Sequence, residues 1–519
     1  MLALRRLAVS FLVACAFLQP ALLLAQTPPP TPWPTKQWSV STPEAQGLDA
    51  GILADLVDYL ATPSFRTDSV IVVRHGHIVA EAYAQPFHAN LRHDLRSVTK
   101  SVVATLVGAA IHEGKIASAD QKVIGFFPGP AANGPLQQAM TIRHLLDMAS
   151  GIQWREWPYN KDSDALKLWG APDWTRFILE REVTSPPGDK FHYIAAAPHL
   201  LSTIISRTTG SNAADYARNG LFRKLGITDF LWRSDPQGNS IGESALRLRP
   251  LDMARLGLLH LRAGRWEDRQ LLPAGWTDSL FADGIANGLN PLTTPPTYRG
   301  LWWTDASIPY AAAIGRHGQY IIVLPKHDLL LVVTSKTADA TRGSSAVQMV
   351  NRYLLPAVRE DGARAADPSA AGKLAASLAR FQAGAAPDSR TPVPEADSLS
   401  RRTFAMDPNP WGYREFSLEL FGAEPRYRIV QADPSALLGQ AVRGGVIGLD
   451  GRYVVSTQPG DLLWARRGRW IDEHTFRIET QFMEAAIMSE WTARFENGGV
   501  VLQYTDGDGD ARTVRGTPR

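Results

Sequence analysis

The sequence predicts an α+β protein. Its parts are an antiparallel sheet flanked by helices, a helical subdomain inserted between the strands, and a small all-β domain after them. Two observations lead to this prediction. Strand-like segments stand before residue 84 and again after residue 298, with a helix-rich stretch between them. From Phe404 onward the chain changes to short segments of alternating apolar and polar residues, which are typical of antiparallel strands.

The N-terminal 25 residues have the pattern of a secretory signal, with basic Arg5 and Arg6, an apolar stretch and small residues up to Ala25. We expect cleavage after Ala25 and a periplasmic or secreted protein. The chain's one cysteine, Cys15, lies in "LVAC", which also resembles a lipoprotein processing site. A lipid anchor at Cys15 ranks second, because the sequence continues apolar beyond it. No later stretch is long and apolar enough to predict a membrane span.

A Pro-rich leader follows at 26–39, and the main domain is predicted at 40–360. It opens with helical spacing in "GLDAGILADLVDYL" and continues with "SVIVVRHGHIVAEAY", a strand, turn and strand with the turn at His75-Gly76. The next helix is strongly apolar and stops at Gly114.

The later strands of the main domain are "YRGLWWTD" and "AAAIGRHGQYIIVLPKHDLLLVVTS", with a turn at Pro325 to Asp328. Residues 361–395 are rich in Ala, Asp, Gly, Pro and Ser, contain one short amphipathic piece (Leu374, Leu378 and Phe381), and are predicted to be a linker. The β-rich domain is predicted at 396–519, with a hairpin turn at Asn497-Gly498.

Charge and motif content exclude several functional classes. The formal net charge is +3, of which the two signal arginines supply two, so nothing indicates a nucleic-acid partner. The twelve histidines show no zinc-binding spacing, and no Gly-rich phosphate loop is present. "DGDGD" at 506–510 lacks the later residues of a calcium loop, and "GNSIG" at 238–242 lacks the buried strand that a nucleophile elbow needs. We therefore predict no metal and no cofactor.

Ser97 and Lys100 stand three residues apart at the start of the apolar helix, so their side chains share one face. A serine hydroxyl becomes nucleophilic when a base removes its proton, and a lysine can be that base where burial destabilises its ammonium. A helix start also favours a developing oxyanion. The alternative is a capping serine beside a solvated lysine, which occurs often by chance.

Two further stretches of sequence favour a catalytic role for Ser97 and Lys100. "PPGDKFHYIAAAPHLLSTII" contains Tyr193 and "GRHGQYIIVLP" contains Arg316-His317-Gly318. Together with "RSVTKS" they stand in the order of three motifs of the serine β-lactamase and penicillin-binding superfamily. Over residues 40–360 the chain resembles the branch with class C β-lactamases, related esterases and 6-aminohexanoate-dimer hydrolases.

The resemblance implies a role for each matching residue. Ser97 would be the acylated nucleophile, Lys100 its proton acceptor, and Tyr193 the tyrosine that moves a proton to the leaving group. Which of the last two is the base stays open. The backbone N–H groups of Ser97 and Gln319 would form the oxyanion hole, and Gly318 would let substrate lie against an edge strand.

Departures from the family pattern affect specificity. Ala195 replaces the asparagine of Tyr-x-Asn, and Arg316 with His317 replaces the usual Lys-Thr. Arg316 can still bind a carboxylate, whereas His317 is either a polar substrate contact or a surface strand residue. Tyr159 lies where this branch often contributes a substrate-facing loop.

We therefore predict an exported serine hydrolase that cleaves a small-molecule amide or ester through a Ser97 acyl-enzyme. One alternative is a D-alanyl carboxypeptidase or β-lactamase acting on cell-wall peptides or β-lactams. Another is a catalytically silent binding protein on the same fold.

Overall fold

The computed structural model describes residues 32–128, 134–157, 162–337, 345–365, 367–384, 399–400, 402–432, 440–449, 451–458, 462–485, 488–507 and 510–519. Within these ranges no helix has both the length and the apolar character that crossing a bilayer requires. The predicted signal with Cys15 lies outside them, as does Tyr159.

A nine-stranded sheet is the centre of the main domain. Its strands are β1 (Ser39–Val40), β2 (Thr67–Arg74), β3 (His77–Tyr83), β9 (Ile285–Ala286), β10 (Thr297–Arg299), β11 (Trp302–Asp305), β12 (Tyr310–Gly315), β13 (Gln319–Leu324) and β14 (Leu329–Ser335). They follow the order β1-β3-β2-β14-β13-β12-β11-β10-β9. All neighbours are antiparallel except β1 and β3. The predicted sheet from both ends of the domain is thus confirmed, since β2 pairs with β14.

Helices and short strands fill the sequence around this sheet. The helices are α1 (Ala50–Leu60), α2 (Val98–His112), α3 (Pro135–Ala139), α4 (Ile142–Leu146), α5 (Asp164–Trp169), α6 (Trp174–Leu179), α7 (Ala197–Thr209), α8 (Ala213–Asn219), α9 (Leu221–Leu225), α10 (Pro250–Leu261), α11 (Ser345–Met349) and α12 (Leu355–Ala357). The short strands are β4 (His93–Asp94), β5 (Leu231–Trp232), β6 (Leu246–Leu248), β7 (Arg265–Trp266) and β8 (Arg269–Gln270).

Both faces of the sheet are covered, which explains why β2 is buried along its whole length. Successive strand residues point to opposite faces, so Ile71 and Val73 join the core that contains α2, α7 and α10. Val70 and Val72 join the second core, which contains α1. The sheet is therefore the middle layer between two layers of helices.

The turn between β2 and β3 lies at His75-Gly76, as predicted. Both residues have positive φ, 50° for His75 and 77° for Gly76. A two-residue hairpin turn of this kind matches the right-handed twist of its strands, and glycine adopts the second position without steric cost.

The segment 361–395 is more than the linker that the sequence predicts, because it contains a helix, α13 (Pro368–Ala383). Asp367 caps the helix by accepting a hydrogen bond from the Ser369 N–H (2.9 Å). Leu374 and Phe381 are seven residues apart on one helical face and are buried in the α1 core. The sequence shows this stripe as a short amphipathic piece, but its Ala- and Gly-rich surroundings favoured a linker.

The C-terminal domain is an all-β unit, as predicted. Within its described residues the strands are β15 (Thr403–Met406), β16 (Tyr413–Glu419), β17 (Arg426–Ala432), β18 (Gln440–Val446), β19 (Val454–Gln458), β20 (Leu462–Trp470), β21 (Thr475–Phe482), β22 (Met488–Glu496), β23 (Gly499–Asp506) and β24 (Ala511–Pro518). They form a sheet in the order β18-β17-β16-β15-β24-β23-β22-β21-β20-β19 around an aromatic core of their own. The β22–β23 turn is Asn497-Gly498, both with positive φ.

This C-terminal domain contacts the main domain close to the segment that precedes Ser97. Glu484 forms ion pairs with Arg92 (2.7 Å) and Arg247 (3.1 Å). Beside them, Leu91 belongs to a small apolar cluster with Met483. The segment that precedes Ser97 is therefore in direct contact with the C-terminal domain.

Candidate active site

Ser97 stands between the short strand β4 and helix α2. It occupies the cap position of the helix, yet its side chain makes no capping hydrogen bond. The Lys100 Nζ instead donates to the Ser97 Oγ (2.9 Å), and Lys100 is only 3% exposed. The alternative of a capping serine with a solvated lysine is therefore wrong.

Lys100 is fixed by a second hydrogen bond, because its Nζ also donates to the backbone carbonyl of Glu243 (2.7 Å). Glu243 lies in the loop between β5 and β6, far from Lys100 in sequence. A long flexible side chain is thus held in one direction, with its nitrogen at Ser97.

Tyr193 completes the group from the loop before α7. Its hydroxyl donates to the Ser97 Oγ (3.0 Å), and its ring stacks on Trp303 at 6.0 Å between centroids and 16° between planes. The Met148 carbonyl accepts a hydrogen bond from the His192 N–H (2.8 Å), which holds the tyrosine loop from below. The three residues predicted from the motifs are therefore brought together at one oxygen atom.

The turn between β12 and β13 holds Arg316, His317 and Gly318. The Arg316 guanidinium lies 5.5 Å from the centre of the exposed Trp157 ring, beside the segment 154–157 that adjoins the site. Gly315 touches the Ser97 segment most closely, because a Cβ there would overlap the Leu95 carbonyl. The turn thus borders the site through Gly315 and Arg316.

His317 and Gly318 point away from this border. His317 is 1% exposed, and its Nδ1 donates to the Thr337 carbonyl (2.8 Å). A Cβ at Gly318 would lie 2.9 Å from the Ser335 Cβ, and β13 is a central strand between β12 and β14. We correct two expectations accordingly: His317 is not a surface strand residue, and Gly318 does not lie on an edge strand.

Gln319 pairs with Gly315 across the turn. Its side-chain amide donates to the Ser335 carbonyl (2.6 Å), which fixes the start of β13. The use of its backbone N–H, with that of Ser97, as an oxyanion hole stays a prediction.

Two buried carboxyl groups near the site, those of Glu156 and Glu243, were not predicted from the sequence. The Glu156 Oε2 accepts hydrogen bonds from the Trp154 indole (2.7 Å) and from the backbone N–H of Ala195 (3.1 Å). The Glu243 Oε1 accepts one from the indole of Trp169 (2.6 Å). No spacing in the sequence marks either residue, since each reaches the site from a separate loop.

Other motifs have structural places. Ser240 of "GNSIG" is buried in a loop, where its Oγ accepts a hydrogen bond from the Ala214 N–H at the start of α8 (2.9 Å). "DGDGD" lies at the β23–β24 turn, and its residues 508 and 509 fall outside the described ranges. Over the part of the chain that the structure describes, no group of three or more His, Cys, Asp or Glu side chains could hold a metal ion.

Comparison with known proteins agrees with this geometry. The sequence model of a family described as Beta-lactamase matches residues 53–354, which include all three residues at the serine oxygen. The 6-aminohexanoate-dimer hydrolase of Paenarthrobacter ureafaciens is 27% identical over 297 residues, covering 53% of this chain and 73% of that protein.

A solved structure shares the fold. It is named "putative beta-lactamase", from Bacteroides dorei DSM 17855, and superposes with a TM-score of 0.51 at 16% identity. The match covers 60% of this chain and 99% of the other one.

Proposed function

This chain belongs to the Beta-lactamase family, and from that premise we propose that it is an exported serine hydrolase that cleaves amide or ester bonds through an acyl-enzyme on Ser97. The observation that carries the proposal is the convergence on the Ser97 Oγ of the Lys100 Nζ at 2.9 Å and the Tyr193 hydroxyl at 3.0 Å. Export is inferred from the signal pattern at residues 1–25.

In the first step the Ser97 Oγ attacks the carbonyl carbon of the substrate while its proton passes to Lys100 or Tyr193. The carbonyl oxygen becomes an oxyanion, which the backbone N–H at the start of α2 stabilises. The same proton then passes to the leaving nitrogen or oxygen, the scissile bond breaks, and the acyl group stays on Ser97.

In the second step a water molecule attacks the acyl-enzyme. It gives one proton to the Lys100–Tyr193 pair and its oxygen to the acyl carbon, and the proton returns to the Ser97 Oγ as the acid leaves. Two proton-carrying groups at one serine oxygen suit this exchange, because both hydrogen bonds already exist in the free enzyme.

Linear amides and simple esters are the favoured substrates, and the named activity of the Paenarthrobacter relative, hydrolysis of the 6-aminohexanoate dimer, agrees with an amidase. Ala195 offers no side-chain hydrogen bond to a lactam amide, which weakens the β-lactamase and D-alanyl carboxypeptidase alternatives. The hydrogen bonds at Ser97 weigh against a silent binding protein.

The test is labelling by a serine-directed fluorophosphonate together with a substrate screen. We expect one labelled residue, Ser97, and loss of both labelling and ester turnover in Ser97→Ala. The screen compares a short acyl ester, a linear amide and a chromogenic cephalosporin. Labelling that persists on Ser240, or a cephalosporin as the best substrate, would refute the assignment.

A further inference from the structure

The loop that ends in "GNSIG" leads directly to the residue that holds the catalytic lysine. The Lys100 Nζ donates to the backbone carbonyl of Glu243 (2.7 Å), and Glu243 follows Gly242 in the chain. A backbone carbonyl has no side-chain rotamers, so its position is set by the loop that carries it. The place of residues 235–242, the 235–242 loop, therefore decides the direction in which Lys100 points at the Ser97 Oγ.

One buried side chain of helix α7, that of His199, holds both ends of this loop. Its Nδ1 accepts a hydrogen bond from the Gly242 N–H (3.4 Å), and its Nε2 lies 3.1 Å from the Asp235 Oδ2. Because a peptide N–H can only donate, Nδ1 carries the lone pair and Nε2 carries the proton that is donated to the carboxylate. The imidazole and the carboxylate are both completely buried. The ring therefore ties the first and the last residue of the 235–242 loop to α7.

The Asp235 carboxylate also closes the loop on itself. Its Oδ1 accepts hydrogen bonds from the backbone N–H groups of Gln237 (2.9 Å) and Asn239 (2.8 Å). Its Oδ2 accepts one from the Asn239 side-chain amide (3.1 Å) as well as the one from His199. Hydrogen bonds to an ionised group are stronger than those between neutral groups. A displacement of His199 would therefore be transmitted to the whole loop.

The 235–242 loop also packs directly on the first turns of α7. The Ser202 Oγ donates to the Ser240 carbonyl (2.6 Å), and a Cβ at Gly242 would lie 2.3 Å from the Pro198 carbonyl oxygen. Only glycine allows so close an approach, since it has no Cβ. The segment that carries Tyr193 leads into the same end of α7. One helix end therefore adjoins the catalytic tyrosine and holds the loop that carries the acceptor of the catalytic lysine.

We propose that His199 is a positioning residue for acyl transfer: by tying the 235–242 loop to α7, it places the carbonyl that directs the Lys100 Nζ at the Ser97 Oγ. The inference rests on the proposed function, because it concerns the same serine. The contacts run in order through the His199 Nδ1, the Gly242 N–H, the Glu243 carbonyl and the Lys100 Nζ. Lysine has a flexible four-carbon stem, and a displacement of about 1 Å at an active site can change a rate by about 100-fold.

The experiment compares variants of the full chain by the second-order rate constant of fluorophosphonate labelling and by kcat and KM for a short acyl ester. His199→Leu removes both hydrogen bonds of the ring. We expect the labelling rate constant and kcat to fall by about 10- to 100-fold. KM should change little, because the substitution alters no group of the proposed substrate contacts. An unfolded fraction would lower the amount of labelled protein but not the rate constant of the folded remainder.

Two further variants test the same contact independently. His199→Asn is the conservative replacement, because its amide oxygen can take the place of Nδ1 and accept from the Gly242 N–H. We expect it to recover most of the rate that His199→Leu loses. Gly242→Ala keeps His199 but adds a methyl group that displaces the loop from the Pro198 carbonyl, so labelling should slow as in His199→Leu. These two variants decide the question if His199→Leu does not fold.

Thr203→Val is the matched control on the same helix. The buried Thr203 Oγ1 donates to the His199 carbonyl (3.1 Å) and lies 3.2 Å from the Thr175 Oγ1, so its contacts are with α7 and α6 rather than with the loop. Its loss should lower the unfolding temperature and leave the labelling rate constant unchanged. An unchanged rate constant in folded His199→Leu or Gly242→Ala would overturn the inference. An equal loss in Thr203→Val, or no recovery in His199→Asn, would do the same.

The two proposals fail separately. Absence of Ser97 labelling in the unmodified chain refutes the proposed function. Labelling at Ser97 that is equally fast in the His199 variants refutes the positioning role of His199 alone.

Discussion

At the scale of single residues, Arg316 and Ala195 depart from the family pattern, and we predict that they set the substrate specificity of the site. Arg316 lies beside the exposed ring of Trp157, where a planar guanidinium can stack and still direct its N–H donors at a carboxylate. Ala195 offers only its backbone, and that N–H is occupied by Glu156. We therefore expect the site to favour a substrate with a carboxylate over one that needs an amide contact.

Arg316→Ala should lower kcat/KM for a carboxylate-bearing linear amide more than for a neutral short ester. One lost polar contact to a charged group costs about 1.5–3 kcal/mol, or roughly 10- to 150-fold. Steady-state kinetics on the two substrates measures the ratio. Arg316→Lys serves as the control, since it keeps the positive charge without the bidentate donor pair. Equal losses on both substrates would make Arg316 a structural residue.

The residues at the serine oxygen show what sequence could predict. Ser97, Lys100 and Tyr193 could be predicted because each lies in a short local sequence motif. Glu243 could not be predicted, because its contact with Lys100 exists only after the β5–β6 loop folds against helix α2. Of the two alternatives for His317, the surface strand residue was wrong, because the side chain is buried and hydrogen-bonded to the Thr337 carbonyl.

At the scale of elements, helix α10 carries a buried histidine that links stability to pH. His260 is 2% exposed, and its Nδ1 donates to the Leu256 carbonyl (2.9 Å). Burial lowers the pKa of His260 from 6.5 to about 4. The unfolded chain therefore binds a proton between those two pH values while the folded protein does not.

Folding stability should fall as the pH drops from about 6.5 to about 4, with His260 contributing as much as about 3 kcal/mol of the loss. We expect His260→Gln to reduce this loss, because glutamine cannot take up the proton. Denaturant unfolding at pH 7 and pH 4 gives the difference between the variant and the unmodified chain. The exposed His112, replaced in His112→Gln, is the control and should leave the pH dependence as it is. An equally steep loss in His260→Gln would assign it to other groups.

The elements that sequence predicted well have strong local signals. Turn residues at His75-Gly76 and Asn497-Gly498 fix two hairpins, and uninterrupted apolar spacing fixes α2. Helix α13 had a weaker signal, a short amphipathic piece at Leu374, Leu378 and Phe381 within a stretch that is otherwise small or polar. Helix α13 packs on the apolar surface of α1, and the composition of residues 361–395 does not show that this surface is available.

At the scale of the whole molecule, α13 changes where the chain can be divided. A chain ending at Glu360 loses the burial of Leu374 and Phe381, which is worth roughly 3–6 kcal/mol for two large side chains. A chain ending at Gly384 keeps it. Both versions lack the C-terminal domain. We expect the version that ends at Gly384 to unfold at a higher denaturant concentration than the version that ends at Glu360.

The Gly384 version should still be labelled at Ser97 by fluorophosphonate, because none of the three residues at the serine oxygen comes from the C-terminal domain. The labelling rate of the Ser97→Ala variant of the same version supplies the background. A folded Gly384 version without labelling would show that the Glu484 contacts with Arg92 and Arg247 are needed to hold the Ser97 segment in place.

The pairing of β2 with β14 has a kinetic consequence. The hydroxyls of Ser69 and Thr334 meet at 2.6 Å although they are 265 positions apart in sequence. Closing such a long loop reduces the conformational entropy of the chain before the stabilising contacts form, so a high contact order slows folding. During synthesis the β2 edge of the β2–β3 hairpin stays unpaired until the chain has been made as far as β14. We therefore expect slow refolding from denaturant, with the inserted helices forming first and the central sheet closing last.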